Sequence, residues 1–206
     1  MSILEFDQAA AHADLCRLLA ACYYEPGPEF SEERLFDSLI DAAQRIDPAL
    51  AIKARLLKTV FDAETPQDLL VDYAKLFLGP VGTLAPPYES AWRDKNSESP
   101  LDSTQALIEL YEEGGFEMDE TFRDLPDHIA VELEFLYTLL FRIAAAARNK
   151  DQQAMDHAIA LRWAMLEHHL VAWIDLFSAA VIAGAACEFY RQLAELTRLF
   201  VKNEVR

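Results

Sequence analysis

The side chains with the means to do chemistry are few in this chain, and their spacing is poor for it. His128 and Glu132 stand four residues apart, which puts them on one side of a helix, and Asp127 directly precedes them. A histidine beside two carboxylates could move a proton or begin a metal site, but a metal needs a fuller ligand set. Neither Glu-x-x-His, used by carboxylate-bridged bundles, nor His-Glu-x-x-His occurs. The residues alone are consistent with Asp127 capping a helix while His128 hydrogen-bonds nearby. His168 and His169 are adjacent, and neighbours on a helix do not face each other. One is expected to pack near a loop and the other to be exposed, and neither has a recognisable nucleophile partner. There is no Gly-x-Ser-x-Gly. Gly79-Pro80-Val81-Gly82-Thr83 looks like a glycine-rich turn but lacks the lysine of a phosphate-binding loop. Cys16 and Cys22, on one helix, would lie about 9 Å apart along its axis, too far for a disulfide. With Cys187 they read as reduced, mostly buried thiols.

The elements that would position these residues are helices. Hydrophobic residues make up 52% of the 206, and nine prolines fall mainly between apolar segments of helical period. Asp7 is a plausible first cap, followed by Leu15, Leu18, Leu19 and Cys22 on one face; Pro26-Gly27-Pro28 ends that helix. Ser31 is expected to cap a second, with Leu35, Phe36, Leu39 and Ile40 buried. Asp47-Pro48 starts a third, with Leu50, Leu57, Val60 and Phe61 as candidates for burial. Thr65-Pro66-Gln67-Asp68 starts a fourth, with a cap, a proline at the first position and an acid three residues on. Ser99-Pro100-Leu101-Asp102 repeats the signal, and Gly114-Gly115 breaks that helix. Asp124-Leu125-Pro126-Asp127 opens the next, which runs to Asn149-Lys150-Asp151. A helix over roughly 152–168 and a buried one from 171, bent or interrupted at Gly184, precede a last helix carrying Phe189, Tyr190, Leu193, Leu196, Leu199 and Phe200. No strand alternation or internal repeat is visible. The expectation is an all-α single domain of about nine helices: an N-terminal helical part over about 1–97, an acidic connection over about 98–124 and a C-terminal part over about 125–206.

One stretch breaks the pattern. From Tyr73 the fourth helix runs into a long loop through Trp92 that holds large apolar residues and Pro80, Pro86 and Pro87. Loops of that length in a compact domain are usually functional, and the prolines lower the entropy lost on ordering it. The chain carries a net charge of −17, and residues 98–127 hold ten acids against one base, Arg123. That balance disfavours nucleic acid and an anionic membrane surface, and its natural complement is cationic. Tyr73, Phe77, Tyr88 and Trp92 could serve as core or as one apolar wall of a groove with an acidic rim. Such a groove would suit a peptide with an apolar segment beside arginines. The N-terminus lacks the basic and apolar regions of a signal peptide, and Val171–Cys187 is too short and too polar to span a bilayer.

The chain resembles the TorD/DmsD family of redox-enzyme maturation chaperones. The resemblance rests on Tyr73-x-x-Leu76-Phe77-x-Gly79-Pro80, Pro86-Pro87-Tyr88-Glu89-Ser90 and Leu125-Pro126-Asp127-His128-Ile129-x-x-Glu132-Leu133-Glu134-Phe135. His169-Leu170-x-x-Trp173 and Phe189-Tyr190-x-x-Leu193 follow in order. The resemblance implies an all-helical cytoplasmic protein with no catalytic reaction. It would bind the twin-arginine signal peptide and apoprotein of a molybdopterin-dependent oxidoreductase, of the dimethyl sulfoxide reductase class, and delay export until the molybdenum cofactor is in place. Pro86, Pro87, Tyr88, Glu89, Ser90, Asp127 and His128 match the family's peptide site. Leu76 and Trp92 join them as apolar wall, and Glu89 and Asp127 would meet the leader's arginines. No metal or cofactor of its own is expected; weak guanine-nucleotide binding is implied by the family alone. No nucleic acid and no stable membrane insertion are expected, and both monomer and dimer stay open. Two other readings stand beside this one: a metal- or nucleotide-binding helical enzyme using His128 and Glu132, and a structural helical adaptor.

Overall fold

Helix starts in this chain are written in side-chain oxygens. In the computed structural model, Thr65 Oγ1 accepts the Asp68 N–H at 3.1 Å, Asp47 Oδ1 the Ala49 N–H at 2.6 Å and Asp151 Oδ1 the Ala154 N–H at 3.0 Å. Each takes up a donor that the first helical turn leaves unpaired. The structure describes residues 3–28, 30, 34–78, 82–93, 100–118 and 124–205, with backbone only for 3–7 and 100–102. Its helices are α1 (Ile3–Ala21), α2 (Leu35–Ile46), α3 (Pro48–Phe61), α4 (Pro66–Phe77), the single turn α5 (Glu89–Trp92) and α6 (Pro100–Glu113). They continue with α7 (Ile129–Asn149), α8 (Gln152–Met165), α9 (Val171–Gly184) and α10 (Glu188–Glu204). A π turn, Leu166–Leu170, joins α8 to α9 without a break. Counting Gln152–Gly184 as one helix, the described residues form nine. They hold no strand, only one isolated antiparallel pairing of Tyr88 with His128.

The differences from expectation have local causes. The first helix begins at Ile3, so Asp7 lies inside it rather than at its cap. Ser31, Gly79, Pro80 and Ser99 lie outside the described residues. The helix expected over 152–168 does not stop, because the π turn absorbs one extra residue while keeping the axis continuous. That continuous helix is long and apolar enough to cross a membrane by composition, yet half of its apolar window is buried inside the protein. Two helices end in the six-to-one and five-to-two hydrogen bonds of a Schellman cap. Phe116 N–H reaches Tyr111 O and Gly115 N–H reaches Glu112 O; Asp151 N–H reaches Ala146 O and Lys150 N–H reaches Ala147 O. Gly115 suits its positive φ of 55°, whereas Lys150 holds 58° with a side chain attached.

The core is continuous from end to end. α1 packs against α7 and α2, α7 against α8, and α10 against α3 and α9. The N-terminal and C-terminal parts of the sequence therefore share one interior. Tyr23, Phe77, Phe177, Trp173 and Tyr190 fill its centre, with ring centroids 5.1–6.1 Å apart in the pairs Tyr23–Phe77, Tyr23–Phe177, Phe77–Tyr190 and Trp173–Phe177. The N-terminus of α10 is capped from a distance. Buried Asp72 of α4 accepts the N–H groups of Ala186 (3.1 and 3.0 Å) and Cys187 (2.8 Å), and Glu64 accepts that of Glu188 at 3.1 Å. Cys16, Cys22 and Cys187 are all buried free thiols.

Candidate functional site

Residues 84–93 form a strap that is sewn to the fold along its length. At its start the N–H groups of Leu84 and Ala85 bond the carbonyls of Lys75 (3.2 Å) and Leu76 (3.0 Å) at the end of α4. At its centre Ile129 N–H donates to Pro87 O at 2.8 Å and Glu89 N–H donates to Asp127 O at 3.0 Å, which is the Tyr88–His128 pairing seen from the backbone. Ser90 N–H donates to Asp127 Oδ2 at 2.9 Å, and the Trp92 indole closes the strap on Pro86 O at 2.7 Å. The Pro86–Trp92 loop and the Asp127–His128 helix start, 35 residues or more apart in sequence, thus meet in one place.

The roles at that helix start are exchanged relative to expectation. His128, not Asp127, is the N-cap of α7: its Nδ1 accepts the Ala130 N–H at 3.1 Å. Accepting at Nδ1 places the neutral ring's proton on Nε2. Burial pushes the His128 pKa down to about 4, against the pull of Asp124 and Asp127. Tyr24 stacks on the ring at 6.3 Å and Tyr88 meets it edge-on at 5.5 Å. Asp127 instead ties the strap down.

Beneath the strap lies a cluster of buried carboxyl groups. Glu89 has no exposed surface; its Oε1 accepts Arg93 Nη1 at 2.6 Å and its Oε2 lies 2.9 Å from His169 Nδ1. Arg93 Nη1 also reaches the His168 carbonyl oxygen in the π turn at 2.9 Å. Glu132, equally buried, accepts the Trp173 indole N–H on Oε2 at 3.1 Å. Its carboxyl is pushed well up, first by burial and then by the charge of Glu89, while Trp173 pulls it back. Glu132 Oε1 and Asp127 Oδ1 are buried and have no hydrogen-bond partner. The histidine pair divides as expected: His169 is buried against Glu89 and His168 is exposed.

The outer layer is different in kind. Tyr88 and Tyr24 are half-buried, and their hydroxyls donate to Asp124 Oδ1 at 2.6 Å and Glu134 Oε1 at 2.8 Å. Burial raises both tyrosine pKa values and that of Glu134. Leu125 and Leu84 are more than half exposed beside this layer and the strap. Of the residues expected to face a peptide, Tyr88, Pro86, Ser90 and Trp92 are partly accessible. Leu76, Pro87, Glu89, Asp127 and His128 are buried in this conformation and hold the accessible layer in place. Tyr24 and Glu134 were missed because one sits just past α1 and the other inside α7, 110 residues away; no spacing rule joins them. The arrangement offers aromatic faces, acceptors and negative charge, and no activated nucleophile. Among the described residues no group of three or more His, Cys, Asp or Glu could hold a metal ion.

An all-helical body presents a laced acidic and aromatic patch at its surface. The family model described as nitrate reductase delta subunit matches residues 43–179, and the chain belongs to this TorD-like family, whose members are chaperones and not enzymes. Among the particular relatives, the Tat proofreading chaperone DmsD of Salmonella typhimurium is 29% identical over 199 residues, covering 94% of this chain and 89% of the relative. The chaperone protein TorD of Vibrio parahaemolyticus is 26% identical over 166 residues, covering 81% of this chain and 70% of that one. The crystal structure of an Archaeoglobus fulgidus protein assigned to redox enzyme maturation aligns over 92% of this chain and 93% of its own, with a TM-score of 0.52 and 20% identity, a likeness of fold.

Proposed function

We propose that this chain is a cytoplasmic chaperone for one redox-enzyme system. It binds the twin-arginine leader and apoprotein of a molybdopterin-dependent oxidoreductase, of the dimethyl sulfoxide reductase class, and delays export until cofactor insertion is complete. The observation that carries this reading is the strap's pairing with the α7 start at Tyr88 and His128, which sets aromatic rings and carboxylates side by side at the surface. Guanidinium groups stack on aromatic faces and bond carboxylates in charge-assisted pairs. Tyr24, Tyr88, Asp124 and Glu134 supply both. Pro86, Pro87, Ser90, Trp92, Asp127 and His128 fix the strap that presents Tyr88. The leader's apolar segment would lie along exposed Leu84 and continue over Leu176 on the outer face of α9. Leu84 rests within 3.0 Å of where a Cβ on Gly184 would be, and Leu176 lies two turns back along that helix. A segment that orders on binding gives up affinity, which suits release to the export machinery. On this reading the chaperone uses no metal or cofactor of its own.

Calorimetry with a synthetic twin-arginine leader tests the reading, using the same peptide with both arginines replaced by lysine as control. Binding is expected for the arginine peptide and weaker binding for the lysine peptide. Asp127→Ala should weaken leader binding roughly tenfold, since about 1.4 kcal/mol is a factor of ten, while circular dichroism shows the helices intact. A well-folded wild-type protein that ignores the arginine peptide would sink the proposal.

A further inference from the structure

Glu89 is a carboxylate with no exposed surface, and it is oriented from both sides. His169 Nδ1 lies 2.9 Å from one oxygen, and Arg93 Nη1 lies 2.6 Å from the other. The same Arg93 nitrogen reaches the His168 carbonyl at 2.9 Å. A carboxylate oxygen and a carbonyl oxygen converging on one nitrogen make a site for a cationic N–H group, and the group that fills it in this chain is a guanidinium. The occupant lies nearer the surface than its host. Arg93 stands just past a helix of four residues, and its side chain is 22% exposed, whereas that of Glu89 is 0% exposed. The way out of the site therefore runs along Arg93. The same cluster contains two buried carboxyl oxygens without a partner, Asp127 Oδ1 and Glu132 Oε1. The charges of Glu89, Asp127 and Arg93 all act on Glu132. The interior beneath the strap thus gathers three carboxyl groups around one arginine, two of them with an oxygen that accepts no hydrogen bond.

We propose that the Glu89 carboxylate and the His168 carbonyl form a guanidinium site that Arg93 fills in the free chaperone and that an arginine of the leader fills in the complex. This rests on the leader-binding reading above. Arg93 is then a tethered stand-in for the ligand. It keeps Glu89 paired while the chaperone is empty, which matters because an unpaired buried charge is severely destabilising. It also weakens leader binding by competing for the site. When the leader enters, Arg93 swings outward along its exposed side and the charge on Glu89 stays neutralised throughout. Preference for arginine over lysine follows from hydration: a guanidinium is more weakly hydrated than an ammonium and gives up less on entering a buried site.

The size of the effect follows from occupancy. If Arg93 fills the site nine-tenths of the time, its removal raises the apparent affinity of the leader about tenfold. The test uses Arg93→Ala and Arg93→Gln in the full chain, calorimetry with the twin-arginine and twin-lysine peptides, and thermal melts in low-millimolar guanidinium chloride or ammonium chloride. Both variants are expected to bind the arginine peptide about tenfold more tightly than the wild type, with little gain for the lysine peptide. Guanidinium, and not ammonium, is expected to raise the melting temperature of Arg93→Ala. Folded variants that bind the arginine peptide no better than the wild type, or worse, overturn the proposal. So does failure of both variants to fold, which assigns Arg93 a structural role. If the wild type binds neither peptide, the leader-binding reading fails. The site is then judged by the melts alone: selective protection by guanidinium upholds it, and its absence overturns it.

Discussion

Glu132 is an acid surrounded by acids, and its ionisation is where the fold meets pH most directly. Its carboxyl is pushed up by burial and by Glu89. A group whose pKa is raised on folding contributes stability at pH values below its ordinary 4.5, and this is lost as the pH rises through the raised native value. Glu132→Gln keeps an oxygen for the Trp173 indole and cannot ionise. At pH 8 it should melt above the wild type, by about 2–4 °C for each kcal/mol gained, and the two curves should converge near pH 4.5. A variant that melts lower at pH 8 would show that the carboxylate is ionised and well paired. His128 acts from the other side of neutrality. Its pKa falls from an ordinary 6.5 to about 4, so stability is fullest above 6.5 and is lost as the pH drops toward 4. His128→Asn retains a capping oxygen and does not titrate. Between pH 6.5 and 4 the wild type should lose on the order of 2–3 kcal/mol more than this variant, measured by urea melts at each pH. The sequence shows why these two residues stand out but not which of them caps. Asp127 is the better capping residue by type, and only the strap, arriving from residues 86–90, takes it away.

At the scale of elements, the helices were legible almost throughout and their junctions were less so. Thr65-Pro66 and Asp47-Pro48 cap as their sequences say because a cap is a local event, decided within four residues. The cap of α10 was not legible, since its acceptors, Asp72 and Glu64, lie more than 110 residues earlier. The π turn also left no trace, because Leu166–Leu170 reads as ordinary helix and only packing on both flanks demands the extra residue. Gly114 carries a role beyond breaking α6. A Cβ there would stand 2.6 Å from the ring of Phe135, which is fully buried and packed against Tyr111 at 4.8 Å and Phe116 at 5.3 Å. Gly114→Ala should therefore cost roughly 1–3 kcal/mol, as overpacking does. It should appear as a lower urea midpoint with an unchanged slope.

For the molecule as a whole, the acidic excess and the apolar interior divide the work. The interior joins N-terminal and C-terminal helices through α1 and α7, so loss of either should unfold both. The net charge of −17 acts outside, and on the proposed function it would draw a cationic leader toward the patch around Tyr24 and Tyr88. Steering of this kind is screened by salt. Stopped-flow association of the leader should slow on the order of tenfold between 10 mM and 500 mM sodium chloride, with dissociation much less affected. Equal rates at both concentrations would remove charge from the account of recognition. The place of the loop beside Asp127 could not be read from the sequence, because it depends on backbone bonds between Pro87 and Ile129 and between Glu89 and Asp127 that leave no residue signature.

The π turn between α8 and α9 has a genetic corollary. A π turn holds one residue more than the α-helical turn it stands in for, so removing one residue there leaves the two arms in the same rotational phase. A chain lacking one codon at His168 can close that turn as plain α-helix, with Met165 and Trp173 still facing the interior. What it forfeits is the surplus carbonyl on which Arg93 rests. Single-residue deletions scanned along 152–184 should therefore be survivable around 166–170 and ruinous in either arm. A survivor there would hold a complete fold with a slackened strap.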